Sequence, residues 1–211
     1  MNYLYPIFLN LKGKRCVVVG GGRIAERKIK NLLECKANVT VVSPEITDYI
    51  KCRIDKGKVN HKSRSYEKGD LNNSFLVISA TNSKSINEAV SNDAKEKGIL
   101  CNVVDIPDLC NFFVPSVVKS GDLKIAISTN GKSPALAKKI RKELEKIYGE
   151  EYAYFINYLG KLRDKLQKEK NIDDDKRKEI FKNIVNSNAI EYLKMGDKEK
   201  FIQEVRRWIL L

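Results

Sequence analysis

Apolar runs rich in β-branched residues punctuate the first half of the chain at 15–19 (RCVVV), 38–42 (NVTVV), 75–79 (FLVIS) and 99–104 (ILCNVV), with a weaker run near 58–62. Short uninterrupted runs of this kind read as strands buried on both faces. Between them, 24–35 and 83–97 carry apolar residues at helical spacing, and Lys97 with Gly98 supplies a basic and glycine stop for the second. The alternation predicts a parallel sheet wrapped by helices, a Rossmann-like α/β half. After Pro107 the pattern changes: 112–119 and 123–128, joined through Ser120 and Gly121, predict an antiparallel hairpin, which does not extend a βαβ series. From Ser133 the sequence turns helical and charge-laced, with Pro134 at a first helical position behind a serine cap. Breaks near Gly149, 171–175 and 195–197 divide this tail into about four helices. The expected architecture is a Rossmann-like parallel sheet over 1–112, a small α+β region of hairpin plus helix over 113–147, and an all-α C-terminal domain over 148–211.

Composition narrows the function classes. With 211 residues and 42% hydrophobic content the chain can bury a core. Its net charge of +13, spread over both halves, favours an acidic partner: nucleic acid, an anionic membrane or a small polyanion. The uncharged stretch 71–83 is shorter than the roughly 18–20 apolar residues of a membrane span. The start MNYLYPIFLNLKGK lacks the basic, apolar and small-residue parts of a secretory signal. The expectation is a cytoplasmic protein with no membrane partner. Five cysteines without a CxxC read as reduced thiols, and His61, the one histidine, leaves little room for a metal site or a Ser/His/Asp relay. No protein-held metal is expected. No basic helix-turn-helix, zinc-finger spacing or aromatic-basic RNA motif accompanies the charge, so no nucleic-acid partner is expected. The lysines of 161–170 and 176–182 interleave with acids as a solvated helix face does, and Tyr148, Tyr152, Phe155, Tyr158 and Leu159 recur at three or four as a packing stripe.

Three clusters carry candidate chemistry. In VVVGGGRIAERK, Gly20, Gly22 and Ala25 fit G-x-G-x-x-G/A directly after a strand and at the opening of a helix. Glycines there permit a tight turn and close backbone approach to a pyrophosphate, whose charge the free N–H groups favour. The acid that usually ends strand two and binds the ribose 2′-OH of NAD is missing at Val42 and Ser43; Glu45 lies two residues late, and Ser43 with backbone groups is the alternative holder. Arg23 is either a phosphate contact, which keeps NADP open, or a solvated side chain. In CNVVDIPDLCNFFVPS a strand delivers Asp105 to the carboxyl edge of the sheet, where ligands bind and a carboxylate can accept a proton; a turn aspartate ahead of Pro107 is the competing reading. Cys101 and Cys110, flanking it, read as buried structural thiols. In ISTNGKSPALAKKIRKEL, Thr129, Asn130, Lys132 and Ser133 precede a helix start that attracts carboxylates, and they serve equally as a hairpin exit and helix cap.

Taken in order and spacing, GGGRIAERK, ATN, CNVVD, FFVPS and STNGKSPALAKKIR resemble the precorrin-2 dehydrogenase family, also found as the N-terminal module of siroheme synthase. The resemblance covers nearly all of 1 to about 147. It implies an enzyme that oxidises precorrin-2 to sirohydrochlorin with NAD, a homodimer paired through its central region, and a helical C-terminal domain. It implies Asp105 as the catalytic aspartate. It also implies cofactor contacts at Gly20, Gly21, Gly22, Arg23 and Ile24, at Ser43, Pro44 and Glu45, at Ala80, Thr81 and Asn82, and at Asn102 and Val104. Thr129 stands where relatives often carry Ser. A tetrapyrrole polycarboxylate suits the basic charge, with Lys132, Lys138 and Arg141 as further candidates. Some members also insert Fe²⁺ into sirohydrochlorin with the same aspartate, and that activity stays open. From another class, a non-catalytic Rossmann nucleotide sensor would leave CNVVD and STNGKSP without a role.

Overall fold

The computed structural model describes residues 4–169 and 171–209 and divides into two compact units, Met1–Val114 and Pro115–Leu211. The first unit follows the alternation in the sequence: β1 (Arg15–Val19), α1 (Arg23–Glu34), β2 (Asn38–Val42), α2 (Asp48–Asp55), β3 (Val59–Lys62), β4 (Leu76–Ser79), α3 (Lys84–Glu96) and β5 (Leu100–Val103). The strands form one parallel sheet in the order β3-β2-β1-β4-β5. Because the chain runs outward in one direction to β3 and returns to the other side of β1 for β4, the carboxyl ends of β1 and β4 bound a topological switch point, where open α/β sheets bind ligands.

Both sheet faces are covered, which is why the strands are apolar without alternation. Cys16 and Val18 point into a core with Val39, Val41, Ile78 and the buried stripe Ala25, Ile29 and Leu32 of α1. Val17 and Val19 point into the opposite core with Val42, Val77, Cys101, Val103 and the α3 residues Val90 and Ala94. Helix α2 departs from expectation. Only Ile50 of its eight residues is buried, so its apolar signal is faint; Thr47 caps it by accepting the Ile50 N–H at 3.4 Å.

In the second unit β6 (Ser116–Ser120) and β7 (Leu123–Ile127) form the antiparallel hairpin, with Ser120 opposite Leu123. The first strand starts at Ser116 rather than at 112: Pro115 has no N–H for a ladder, and the Phe112 carbonyl accepts from Asn102 Nδ2 at 3.1 Å instead. The tail holds five helices among the described residues, one more than expected: α4 (Pro134–Ile147), α5 (Glu150–Leu166), α6 (Asp174–Asn186), α7 (Ala189–Lys194) and α8 (Lys198–Ile209). The additional break is at Ser187, extended at φ −83° and ψ 179°, whose hydroxyl donates to the Ile184 carbonyl at 2.8 Å and accepts the Ala189 N–H at 3.2 Å. Fully buried Phe201 centres this unit, with the rings of Tyr154, Phe155 and Tyr158 edge-on to it at 5.8, 6.0 and 5.0 Å. Most of the aromatic stripe on α5 is therefore packing.

Candidate active site

The glycine loop is shaped by its neighbours on both sides. Gly20 sits at φ +108°, outside the range of most L-residues, and its N–H donates to the Val42 carbonyl at 2.9 Å. A Cβ at Gly20 would collide with the Ala80 carbonyl oxygen, and one at Gly21 with the Glu45 carbonyl oxygen. These two glycines let the loops after β2 and β4 close onto the loop after β1. Gly22 differs: a Cβ there would meet nothing within 4 Å. It is the N-cap of α1 and supplies no side-chain cap, so the first N–H groups of the helix, beside exposed Arg23 and Ile24, are left for an anionic ligand. Ala25, at 0% exposure, gives the small residue where α1 meets the sheet. The loop therefore fits a dinucleotide pyrophosphate through its backbone.

Two loops line the same edge. Ser43 is buried, its hydroxyl donating to the Glu45 carbonyl at 2.6 Å and its carbonyl bonded to His61 Nε2 at 2.9 Å. Its hydroxyl shapes the turn, while Pro44 and the Glu45 carboxylate are exposed. The sequence reading missed what holds this turn: Glu26 on α1 accepts from Thr47 Oγ1 at 2.8 Å and from Lys30 Nζ at 2.6 Å. Those bonds, the one from Lys30 first, hold the Glu26 carboxyl below its ordinary range. After β4, Ala80 and Thr81 are half-buried and Asn82 is exposed. Buried Asn87 organises them, accepting from Ser79 Oγ at 2.7 Å and from Thr81 Oγ1 at 3.2 Å and donating to the Thr81 carbonyl at 3.2 Å.

The third loop carries Asp105. Its backbone lies at φ +61°, the left-handed region, which Asp and Asn tolerate better than other side-chain-bearing residues, and its carboxylate is exposed. A thiol fills the inside of this turn. Cys110 Sγ lies 3.2 Å from the Val103 nitrogen, 3.2 Å from the Val103 carbonyl oxygen and 3.3 Å from the Ile106 carbonyl oxygen, in position to accept from the first and donate to either carbonyl. Burial pushes this thiol up, and Cys101 beside it up to about 11, so both stay protonated at neutral pH. Asn111 continues the support by pairing along β5: Oδ1 accepts the Cys101 N–H at 2.7 Å and Nδ2 donates to the Ile99 carbonyl at 2.9 Å. Asn102 is 8% exposed with its amide spent on the Phe112 carbonyl, so it bears on the edge through the chain it ties down, and Val104 is half-buried. The fold thus brings the ends of β1, β2, β4 and β5 to one edge, with the open glycine, Glu45, Thr81 and Asp105 on it.

In the second unit the predicted anion-binding residues form a cap. Thr129 Oγ1 accepts the Ser133 N–H at 3.1 Å, its carbonyl accepts the Lys132 N–H at 3.0 Å, and Asn130 sits at φ +53°. Ser133 Oγ accepts the Leu136 N–H at 3.2 Å. Lys132 and Lys138 are exposed, whereas Arg141 is ion-paired with Glu145. Among the described residues no three His, Cys, Asp or Glu are placed to hold a metal ion, and no helix is long and apolar enough to cross a membrane.

Residues 7–116 match the family described as putative NAD(P)-binding, and residues 120–147 match the sirohaem biosynthesis protein central family. Siroheme synthase of Vesicomyosocius okutanii subsp. Calyptogena okutanii (strain HA) is 40% identical over 188 residues, covering 88% of this chain and 40% of that protein. Siroheme synthase of Nitrosomonas europaea is 40% identical over 168 residues, covering 79% of this chain and 35% of that protein. The chain therefore spans well under half the length of these relatives. The structure of SirC, a precorrin-2 dehydrogenase, superposes with a TM-score of 0.82 at 30% identity, covering 97% of this chain and all of that one. A nicotinamide-dinucleotide fold built as the glycine loop requires, followed by the sirohaem central region, places the chain in the precorrin-2 dehydrogenase and siroheme synthase family.

Proposed function

We propose that the chain oxidises precorrin-2 to sirohydrochlorin with NAD. The observation that carries this reading is Asp105, held in a left-handed turn at the carboxyl end of β5, on the edge that also presents the uncapped start of α1. NAD, when bound, supplies the hydride acceptor. The macrocycle loses a hydride and a proton in the oxidation, and the Asp105 carboxylate takes the proton. Gly21 and Gly22, with Arg23 and Ile24, receive the pyrophosphate through backbone N–H groups, and Gly20, its own N–H held by the Val42 carbonyl, makes the turn that lets the ligand approach. Glu45 accepts from the ribose 2′-OH, which favours NAD over NADP, and Ser43 and Pro44 shape that contact. Ala80, Thr81, Asn82, Asn102 and Val104 form the remaining wall. In the second unit, Thr129, Asn130, Lys132 and Ser133 bind substrate carboxylates, as the helix start and the net charge of +13 favour. Within this reading 1–112 is the nucleotide domain, 113–147 pairs two copies into a homodimer, 148–211 is the helical domain, and the protein works in the cytoplasm.

The test is an anaerobic reaction of enzymatically generated precorrin-2 with NAD or NADP, followed through the macrocycle and NADH spectra. Sirohydrochlorin formed together with NADH is the expected result; folded protein that oxidises nothing with either nucleotide overturns the reading in favour of a nucleotide sensor. A second reading, insertion of Fe²⁺ into the product, is favoured by the match of 120–147 to the sirohaem central family. It needs no protein-held metal, because the macrocycle supplies the ligands. Adding Fe²⁺ after the first step and seeing no enzyme-dependent spectral change refutes it.

A further inference from the structure

Glu26 sits in the first turn of α1, the helix whose open start is assigned to the pyrophosphate, yet its carboxylate is bonded to the loop after β2. That loop presents exposed Pro44 and Glu45 between two tied ends. At the first end the Ser43 N–H donates to the Lys62 carbonyl at 3.1 Å, and the Ser43 carbonyl is bonded to His61. At the second end the Thr47 N–H donates to the Gly21 carbonyl at 3.1 Å, which joins the loop to the glycine turn itself. The Thr47 hydroxyl has one proton to give. It goes to Glu26 Oε2 at 2.8 Å, and a lone pair of the same oxygen takes the Ile50 N–H at the start of α2. The other carboxylate oxygen of Glu26 accepts from Lys30 Nζ at 2.6 Å. One acid on the coenzyme helix therefore anchors the segment that carries Glu45.

We propose that Glu26 is the positioning residue for Glu45: its bond to Thr47 holds the β2–α2 loop where the Glu45 carboxylate meets a ribose 2′-OH, and so sets the preference for NAD over NADP without touching either nucleotide. The inference rests on the coenzyme part of the dehydrogenase reading. A hydroxyl-to-carboxylate bond tolerates little displacement, and a 2′-phosphate is rejected only while a carboxylate is fixed in its path. A loop freed at Thr47 loses on both counts, because the 2′-OH no longer finds a fixed acceptor and the 2′-phosphate meets a carboxylate that moves aside. Charge alone would act in the opposite direction. An acid in the first turn of the pyrophosphate helix repels both nucleotides, so its removal would tighten NADH and NADPH together.

The test is fluorescence titration of NADH and NADPH, with no macrocycle present, on Glu26→Gln, which keeps an acceptor for Thr47, and Glu26→Ala, which keeps none. Glu26→Ala is expected to cut the preference for NADH about fivefold, the scale of one hydrogen bond, and Glu26→Gln to keep most of it. Thr47→Val, which removes the donor, should shift the preference the same way, and Thr47→Ser should restore it. The decisive comparison is made on Glu45→Ala, where the loop has no carboxylate to position: adding Glu26→Ala there is expected to leave the preference where Glu45→Ala alone puts it. A parent-like preference in Glu26→Ala, weaker binding of both nucleotides in an unchanged ratio, tighter binding of both in both Glu26 variants, or an equal effect of Glu26→Ala in the Glu45→Ala background each overturns the inference while leaving the dehydrogenase standing. A parent that binds NADH and NADPH alike overturns the assignment of Glu45 and the inference with it.

Discussion

Gly21 and Gly22 are neighbours with opposite surroundings, and an alanine at each separates packing from binding. At Gly21 the new methyl runs into the Glu45 carbonyl and would stand 2.9 Å from Ile46 Cγ2, so the β2–α2 turn, pinned by Thr47 and Glu26, must shift. Forcing a methyl into a packed site costs about 1–3 kcal/mol, and at this chain length each kcal/mol moves the melting midpoint by about 2–4 °C. Gly21→Ala should therefore melt about 2–12 °C lower. At Gly22 the methyl meets no protein atom within 4 Å. The poorer N-cap and the stiffer unfolded chain each contribute about 0.5–1 kcal/mol with opposite signs, so stability stays within about 0.5 kcal/mol of the parent. A pyrophosphate drawn against the start of α1 occupies the space that the methyl takes. NADH should then bind at least about tenfold more weakly, equivalent to ~1.4 kcal/mol. Circular-dichroism melting and NADH fluorescence titration on both variants give the comparison. Parent-like NADH affinity in Gly22→Ala would refute the assignment of the open glycine to the ligand, and a parent-like melt of Gly21→Ala would refute the packing argument.

Asp105→Asn keeps a residue suited to φ +61° but no longer accepts a proton, so precorrin-2 oxidation should fall about 10²–10⁴-fold with the melting midpoint and NADH affinity unchanged. Single-turnover absorbance measures it, and near-parent turnover would remove Asp105 from the mechanism. Glu45→Ala should cut the preference for NAD over NADP about tenfold, read as the ratio of the two kcat/KM values; an unchanged ratio assigns the ribose to other groups. Asp70, with a side chain 2% exposed, accepts from Arg64 at 2.8 Å, from Lys62 at 2.7 Å and from the Glu67 N–H at 3.0 Å. The Arg64 guanidinium first, then Lys62, holds its carboxyl far below the ordinary range. A folded-state value below the unfolded one gives stability that is full above the ordinary carboxylate pKa and is lost as pH falls. Asp70→Asn should cost about 1–2 kcal/mol at pH 7, after allowing for the partly exposed cations. That gap should narrow below about pH 4, and urea unfolding across pH that shows a constant gap would contradict the assignment.

The fold was legible where a single physical demand covers a whole segment. Strands buried on both faces have to be apolar throughout, so RCVVV and NVTVV were read to the residue as β1 and β2. Helix α2 was invisible because it buries one side chain, and one buried position in eight makes no period. The break at Ser187 was missed for a related reason: no Gly or Pro marks it, and the turn is made by one serine hydroxyl serving both helix ends. The hairpin start was misplaced by four residues because FFV is apolar in service of the Asp105 turn rather than of a ladder, as the use of the Phe112 carbonyl by Asn102 shows.

The site divides along the same line. A loop that binds through its backbone writes itself into sequence as glycines, since no other residue allows φ +108° at Gly20 beside a neighbouring carbonyl. The place of Asp105 at the carboxyl edge was legible because it is a polar residue at the end of an apolar run. Its supports were not: Cys110 reads as one more core thiol, and nothing in the sequence marks Asn111. Each acquires its role only when β5 is laid beside β4 and the return segment folds under it. Groups that touch a ligand are selected by local chemistry, whereas groups that hold them are selected by distances between segments far apart in the chain. The Asp105 turn, shaped by the Cys110 thiol inside it and by the Asn111 amide paired along β5, is therefore where three-dimensional structure adds most to the sequence.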